Sequence, residues 1–566
     1  MPGDETFMTP RTERYRPGWR SSPTGVLRWI LGATLAAFAF SNLGGSCDAL
    51  YTVQVLDSAS GLPIPAKITL YNASTGAAVG FGTNDSGTLL SWFQNKAYLG
   101  SGTATLDVPS GVYDVWASRG PEWTAVHQTV DTSQPVQPLV FTLSRAVDTT
   151  GYLAADFHIH ARPSFESALQ SPPLPALPDR VLHYMTEGIE IMGSSDHDCI
   201  VDYAHVIASL GLGGLVTSLV GVEATPGTNA YPDGNGNCDQ LGPDSSPANT
   251  EPGHWSGYPL SPSGTYQTTA DSGIPAASIY DMLRGFGDSS TLVQLNHPYY
   301  ATGYANIGWL DKSGFNPSVP IPATWPGNSL PTNAFLRKPS QVTGSTTQGI
   351  DFDAIELWAG GSTVQGRPAR AAWFSLLNQG FLKVGVANGD SHNTARSAGY
   401  PRNLVYLGTS DPSQVTPAQV AAAVRAGKVI GTTGPIPSIT VDGAGMGQLV
   451  TDTSGTVNVA VKVQAAPWVP VDEIRIVVNG NVAQTIPLPA LDPEPTVRYD
   501  NTLPIPITKD SWIVVEAGAT LPADPTQEPP IPYAYTRVTT GFPPLSFTNP
   551  VFVDFDGNGK FDPPGL

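Results

Sequence analysis

Between Tyr51 and Leu143 apolar and polar residues alternate in short runs, such as Tyr51-Thr-Val-Gln-Val and Lys67-Ile-Thr-Leu-Tyr, set apart by Gly, Pro, Asn and Asp. Residues two apart on a strand share a face, so this period predicts half-buried strands joined by turns, a small β-sandwich. From about residue 150 to 435 apolar runs of strand length alternate with stretches of helical period, which predicts an α/β domain. Two helices stand out, Asp179 to Glu187 before Gly188 and Pro417 to Ala426 before Gly427, because glycine stops a helix in the left-handed conformation. The predicted strands end on polar side chains: Ala155-Asp-Phe-His158, Gly193-Ser-Ser-Asp-His197, Val220-Gly-Val-Glu223 and Val293-Gln-Leu-Asn-His297. Where βα units form a barrel, the active site collects at the C-terminal ends of the strands, so this punctuation predicts one convergent site. After Gly434 the period of two returns, with Thr456 to Val463 and Glu473 to Val478 as strands of a second sandwich, while proline-rich Leu521 to Pro532 reads as a loop. The expected domains are 48–147, 148–435 and 436–566, behind an N-terminal segment 1–47.

Length agrees, since 566 residues exceed what one ordinary core serves. The 59 Gly and 54 Pro sit beside 40% hydrophobic residues, too apolar for a disordered polymer and suited to loop-rich β structure. A net charge of −19 argues against nucleic acid as a ligand, because phosphate backbones are gripped by a surplus of Lys and Arg. Arg11, Arg14, Arg16, Arg20 and Arg28 precede the apolar run Trp29 to Phe40, which is too short to span a bilayer and reads as an export signal. The small residues Gly44-Gly45-Ser46 then lead to Cys47, and both plain secretion and a lipid anchor on Cys47 fit. The expected location is outside the cytoplasm: periplasm, outer membrane as a lipoprotein, or extracellular. Apart from that anchor no membrane contact is expected. Beyond the signal only Cys199 and Cys238 remain, enough for one disulfide or for two free thiols.

The sharpest local signal is His158-Ile-His160 at a strand end, where both imidazoles project to one side and can face a single cation. Six of the 9 histidines, His158, His160, His197, His254, His297 and His392, fall at strand ends or in loops, several beside carboxylates. Asp196 and Asp198 flank His197, placed either to orient imidazoles or to cap a turn. His127, His183 and His205 lack such company and read as ordinary histidines. Glu356 ends another strand and is placed to support ligands from behind. Arg402 suits an anionic substrate or, preferably, a structural ion pair. Asp554, Asp556, Asn558, Lys560 and Asp562 follow the first half of a calcium loop, although Gly565 stands where its twelfth, acidic residue belongs. Asp233, Asn235, Asn237 and Asp239 alternate similarly, which turn-rich sequence also yields by chance.

Taken in order, His158-Ile-His160, Ser195-Asp196-His197-Asp198, Gly221-Val-Glu223, Asn296-His297-Pro298 and Gly389-Asp390-Ser391-His392 resemble the motifs of the PHP superfamily, named for polymerase and histidinol phosphatase. Within it the chain looks like the CehA/McbA-type metallohydrolases, with Pro163-Ser164-Phe165-Glu166-Ser167 and Gly253-His254-Trp255 as further matches. The resemblance covers about half the chain, roughly residues 150 to 435. It implies an α/β fold, a distorted (β/α) barrel of PHP type flanked by two β-sandwiches. It implies two or three divalent cations, Zn, Mn or Fe. His158, His160, Glu223 and Asp390 would surround one; Glu223 would bridge to a second held by His254 and His297; His197 and His392 would take a third. Glu166 stands where an Asp or His ligand to the third is usual, so two-metal and three-metal centres both remain open. The implied activity is hydrolysis of a small-molecule ester by activated water, with Glu223, Asp390 and Asp196 as the catalytic carboxylates. Phosphate esters lead, carboxylic or carbamate esters follow, and a non-catalytic cell-surface binding protein on the same scaffold is the rival. Separately, Val108-Pro-Ser-Gly-Val-Tyr-Asp-Val-Trp resembles carboxypeptidase-regulatory or transthyretin-like modules, which support or bind.

Overall fold

The computed structural model describes residues 49–82, 85–134, 138–164, 167, 174–226, 230–231, 240–241, 253–262, 274–300, 308–327, 329–360, 362–393, 398–539 and 541–566. The N-terminal segment expected to direct export, with Cys47, and Glu166, Cys238 and the 233–239 run lie outside them. Among the described residues no helix is long and apolar enough to cross a membrane.

The alternating N-terminal segment forms β1 (Ala49–Asp57), β2 (Ala66–Asn72), β3 (Leu90–Phe93), β4 (Lys96–Leu99), β5 (Thr103–Val108), β6 (Val112–Ser118), β7 (Val126–Asp131) and β8 (Leu139–Leu143). They make two sheets, β5-β1-β8 and β3-β4-β2-β6-β7. Val53, Val55, Ile68, Leu70, Leu106, Val115 and Phe141 fill the space between, the sandwich the period of two predicts. β2 departs from alternation, because its outward residues Lys67, Thr69 and Tyr71 are buried too. That face is not solvent: Lys67 pairs with Glu187, and Thr69 Oγ1 donates to the Arg537 carbonyl at 3.0 Å.

The middle of the chain alternates as expected. Its elements are β9 (Tyr152–Ile159), α1 (Leu177–Thr186), β10 (Ile191–Ser194), α2 (Ala204–Ser209), β11 (Thr217–Leu219), β12 (Val222–Ala224), β13 (Ala230–Tyr231) and β14 (Gln240–Leu241). They continue through β15 (His254–Leu260), α3 (Ala276–Gly285), β16 (Gly287–Asn296), α4 (Trp309–Lys312), β17 (Ala354–Ala359), α5 (Thr363–Asn378), β18 (Val384–Asn388), β19 (Arg402–Tyr406), α6 (Pro417–Arg425) and β20 (Val429–Thr432). Local chemistry fixes the ends: a Thr416/Gln419 capping box with Pro417 at the first turn starts α6, and Gly427 at φ 69° stops it. One sheet runs β11-β10-β9-β19-β20 and onward; a second runs β12-β15-β16-β17-β18. Two parallel bridges join them, Ile159 with Ser391 at one margin and His197 with Glu223 at the other. Phe157, Ile191, Tyr258, Leu292, Ala354 and Val386, drawn from both sheets, share one apolar cluster. α1 and α2 cover the first sheet's other face, and α3 and α5 that of the second.

The C-terminal part comprises β21 (Ile436–Val441), β22 (Leu449–Thr451), β23 (Thr456–Gln464), β24 (Glu473–Val478), β25 (Asn481–Pro487), β26 (Val497–Pro506), β27 (Ser511–Gly518), α7 (Tyr533–Val538), β28 (Leu545–Thr548) and β29 (Val551–Asp554). A sandwich is present, with β21-β23-β26 packed on β24, β27 and β29 through Val459, Val461, Ile474, Ile476, Ile513, Val515 and Val553. It is not separate at residue 436, however, because β28 pairs with β20 and β27, making its second layer an extension of the large sheet. An edge at β20 would present unpaired backbone donors and acceptors, and β28 supplies their partners. Residues 47–566 accordingly form one compact unit.

Candidate metal centre

β9 carries His158 into the centre and His160 follows it. The Asp156 carboxylate accepts from His158 N and Gly389 N, both at 3.0 Å, tying the end of β9 to the loop after β18. Position 389 must be glycine there, since a Cβ would lie 2.6 Å from Asp156 Oδ2. Ile159 packs into the α1/α2 side, so strand alternation turns both flanking imidazoles inward, where each is fully buried.

Glu223 on β12 lies at the focus. Its Oε1 is 3.3 Å from His158 Nε2, 3.2 Å from His254 Nδ1 and 3.2 Å from His297 Nε2; its Oε2 is 3.3 Å from His160 Nε2 and 3.0 Å from His197 Nδ1. Asp390 Oδ1 meets the other side of the first pair, 3.2 Å from His158 Nε2 and 3.3 Å from His160 Nε2, with His392 Nδ1 at 3.3 Å. His158, His197, Glu223 and His297 arrive at or just beyond the C-terminal part of a strand, as the polar punctuation predicts, and Asp390 follows β18; His254 instead opens β15, which runs antiparallel to β16 and so begins beside the end of β16. Two of them, His297 at φ 24° and Asp390 at φ 43°, hold left-handed backbone conformations, as does Asp198 at φ 54°. Side chains rarely accept that strain except where the surroundings impose it, commonly at functional sites.

The donors fit divalent cations. Four groups have ligand atoms mutually within 4.8 Å: His158/His160/Asp390, His158/Glu223/His297, His197/Glu223/His254 and His160/His197/His392. Among the described residues, His158 Nε2, Glu223 Oε2, His254 Nδ1 and Asp390 Oδ1 are buried yet have no hydrogen-bond partner. Burying such atoms unsatisfied is costly, and a cation satisfies them together. Ligand atoms around a tetrahedral ion with bonds of about 2.0 Å lie ~3.3 Å apart, close to most of the N···O separations here. Burial opposes charge on Glu223 and Asp390, but the surrounding imidazoles outweigh it and hold both carboxyls well below the usual range. Burial also opposes charge on His158, which Glu223, Asp390 and Glu356 nevertheless lift well above an ordinary imidazole. Burial takes His160 down to about 3. Ionised carboxylates and neutral imidazoles are the ligand forms, and the proton on His158 is the one a cation would displace.

Other residues hold the ligands in place. Asn296 Nδ2 donates to Glu223 Oε1 at 2.8 Å, the Thr225 hydroxyl lies 2.6 Å from His197 Nδ1, and the Ser164 hydroxyl accepts from His197 N at 2.9 Å. The fully buried Arg180 on α1 donates to the Ser391 carbonyl at 2.9 Å and to its hydroxyl at 3.2 Å, fixing the residue between Asp390 and His392. Thr225 and Arg180 escape the sequence reading. The available signals were Thr225 two residues beyond Glu223 on one strand face, and an arginine on the apolar face of α1.

Several candidates lie elsewhere in the network. Asp196 is not among the ligand groups: its carboxylate accepts from Ala161 N at 2.7 Å and from the Tyr203 hydroxyl at 3.1 Å, and burial pushes it up to about 7. These bonds stabilise the turn, one of the two roles the sequence leaves open for it. Asp198 accepts from Thr225 N at 2.9 Å and so serves the bridge between His197 and Glu223. Arg402 is structural, pairing with Glu122 at 3.3 Å and donating to the Glu187 carbonyl at 2.9 Å. His183 is buried between Ser91 Oγ at 3.0 Å and the Tyr98 ring, His127 stacks on Trp116, and His205 is exposed. Cys199 is disulfide-bonded.

In the C-terminal loop Asp554 and Asp556 group with Asp510, a residue the sequence pattern did not suggest. Asp554 is already engaged by N–H groups of Gly557, Asn558 and Gly559 and by the Thr451 hydroxyl; Asn558 donates to Asp562, and Lys560 pairs with it at 3.0 Å. Donors from the loop and from Thr451 on β22 order it.

No protein-family model and no curated protein matches the chain.

Proposed function

We propose that the chain is an exported, metal-dependent hydrolase with a PHP-type barrel of the CehA/McbA kind, acting on small-molecule phosphate esters. The observation carrying this is the single buried carboxylate of Glu223 with five imidazoles at 3.0–3.3 Å and Asp390 opposite. The two sheets bridged at both margins, helices outside and a shared apolar interior, support the barrel reading. The disulfide at Cys199 supports an oxidising compartment.

His158, His160 and Asp390 would hold one cation, Glu223 would bridge to a second held by His254 and His297, and His197 and His392, with His160 beside them, would hold a third. Imidazole and carboxylate donors of this kind suit Zn, Mn and Fe. When bound, such ions supply Lewis acidity and bring the pKa of water toward neutrality. The protein supplies the rest: Asn296 orients Glu223, Asp156 fixes the strand end that presents His158, and Arg180 secures the Asp390–His392 loop. Access is one-sided, since the His392 side chain is 30% exposed, His254 13% and Asp390 12%, whereas His158 and Glu223 are fully buried. The ester therefore approaches from the His392 and His254 side.

Metal analysis of the purified chain, combined with nitrophenyl phosphate monoester, phosphate diester and carboxylic ester substrates, tests this. Two or three cations per chain and metal-dependent phosphoester cleavage are expected. A folded chain that retains no divalent cation, or one that cleaves no ester when loaded, overturns it. Cleavage of the carboxylic ester alone moves the substrate class to acyl esters.

A further inference from the structure

We infer that Glu356 is a positioning residue that sets the tautomer of His158 and the backbone of His297 together, through one carboxylate behind the centre. This rests on the metal-centre reading above and extends it to how the ligands are arranged before a cation arrives.

Glu356 lies on β17, 1% exposed. Its Oε1 is 3.1 Å from His158 Nδ1 and accepts from Asn388 Nδ2 at 2.8 Å; its Oε2 accepts from His297 N at 2.7 Å. An ionised carboxylate only accepts, so the proton on this side of the His158 ring sits on Nδ1. That leaves Nε2, the atom facing Glu223 and Asp390, as the one that would give up its proton to a cation and offer its lone pair. The second oxygen holds the N–H of His297, whose φ of 24° is a strained, left-handed conformation. A register shift between β17 and β18 falls between Glu356 and Trp358, the kind of irregularity that re-aims a side chain. Asn388 is itself fixed, its Oδ1 accepting from Phe157 N at 3.0 Å and Asn403 Nδ2 at 2.8 Å.

Charge supports the same role. A buried carboxylate usually needs a Lys or Arg partner, and among the described residues the ion-pair partner of Glu356 is His158 alone. Its negative charge is balanced through the centre.

The test strips the full chain of metal, reloads it with Co(II) alone, and compares parental protein with Glu356→Gln by chelator competition and visible absorption. Glutamine keeps the shape but turns an N–H₂ group toward one of three donors. A 10–100-fold weaker Co(II) affinity and an altered spectrum are expected, with the metal-free thermal midpoint near the parental value. Glu356→Asp, which keeps an acceptor-only group one methylene short, should recover part of the affinity. Parental affinity and spectrum in a folded Glu356→Gln protein overturn the inference and leave the metallohydrolase reading intact. A parental chain that takes up no Co(II) overturns both. Should Glu356→Gln fail to fold, ¹⁵N-histidine NMR of the zinc-loaded parental chain decides: a His158 ring protonated at Nδ1 supports the inference, and one protonated at Nε2 overturns it.

Discussion

Glu223 touches five imidazoles with two oxygens, so no other side chain in the centre is shared by so many ligands. Glu223→Ala is expected to lose most bound cation and to lower ester hydrolysis by at least about 100-fold, a loss in the range produced by removing a group central to catalysis. Metal content and turnover of the purified variant check it; full metal content with near-parental turnover would contradict the centre. Glu166→Ala should cost less, because the triad His160/His197/His392 is complete without it. Beside the centre, Gly389 faces the Asp156 carboxylate and the Tyr184 hydroxyl at 2.6 and 3.3 Å from where a Cβ would stand. Gly389→Ala is expected to lower metal-free stability by roughly 1–3 kcal/mol and to weaken cation binding as the loop shifts, read by denaturant unfolding and Co(II) titration.

At the scale of elements, strand ends were legible because a period of two followed by His, Asp or Glu leaves little ambiguity. His158, His197, Glu223 and His297 were found that way, and Asp390 through the order of motifs that the family resemblance supplies. The partners that hold them were not, since Asn296, Thr225 and Arg180 look like unremarkable polar residues until the sheets are joined. Asp196 stayed open for the converse reason: a carboxylate beside a ligand histidine is equally suited to a turn, and it accepts from the backbone of Ala161. The C-terminal sandwich was legible as strands but its join to the large sheet through β28 was not, because periodicity identifies strands without naming their neighbours. One element-level contact carries a pH signature. Glu190, just before β10, accepts from Ala154 N at 2.9 Å, and burial raises its pKa to about 7. Its folded value exceeds the unfolded one, so its contribution is fully present below the unfolded pKa and is lost as pH rises through about 7. Stability should therefore fall between about pH 4.5 and 7 by on the order of 1–3 kcal/mol from this group, and Glu190→Gln should flatten that slope in urea titrations.

Across the whole molecule, the N-terminal sandwich is bound by buried charge as well as by apolar contact. Lys67 of β2 pairs with Glu187 after α1, both side chains fully buried, and its ammonium also donates to the Val538 carbonyl beside α7 at 2.5 Å. Lys67→Met strands Glu187 and is expected to cost roughly 3–5 kcal/mol, while the double variant Lys67→Met/Glu187→Leu should recover much of that, as thermal or urea unfolding will show. If single and double variants unfold alike, the pair is not what joins these parts.

The insertion of β28 between β20 and β27 has a consequence for biosynthesis. β20 is made more than a hundred residues before β28, an interval of about ten seconds at ordinary translation rates, throughout which its outer edge has no partner. The sheet that carries His158 is then finished only once residues 545–548 have left the ribosome. Ribosome-stalled chains halted near residue 520 are expected to remain protease-sensitive across β9 and β20, and those extended beyond residue 566 by a linker to become resistant. Resistance already present in the shorter chains would show that closure does not wait for β28.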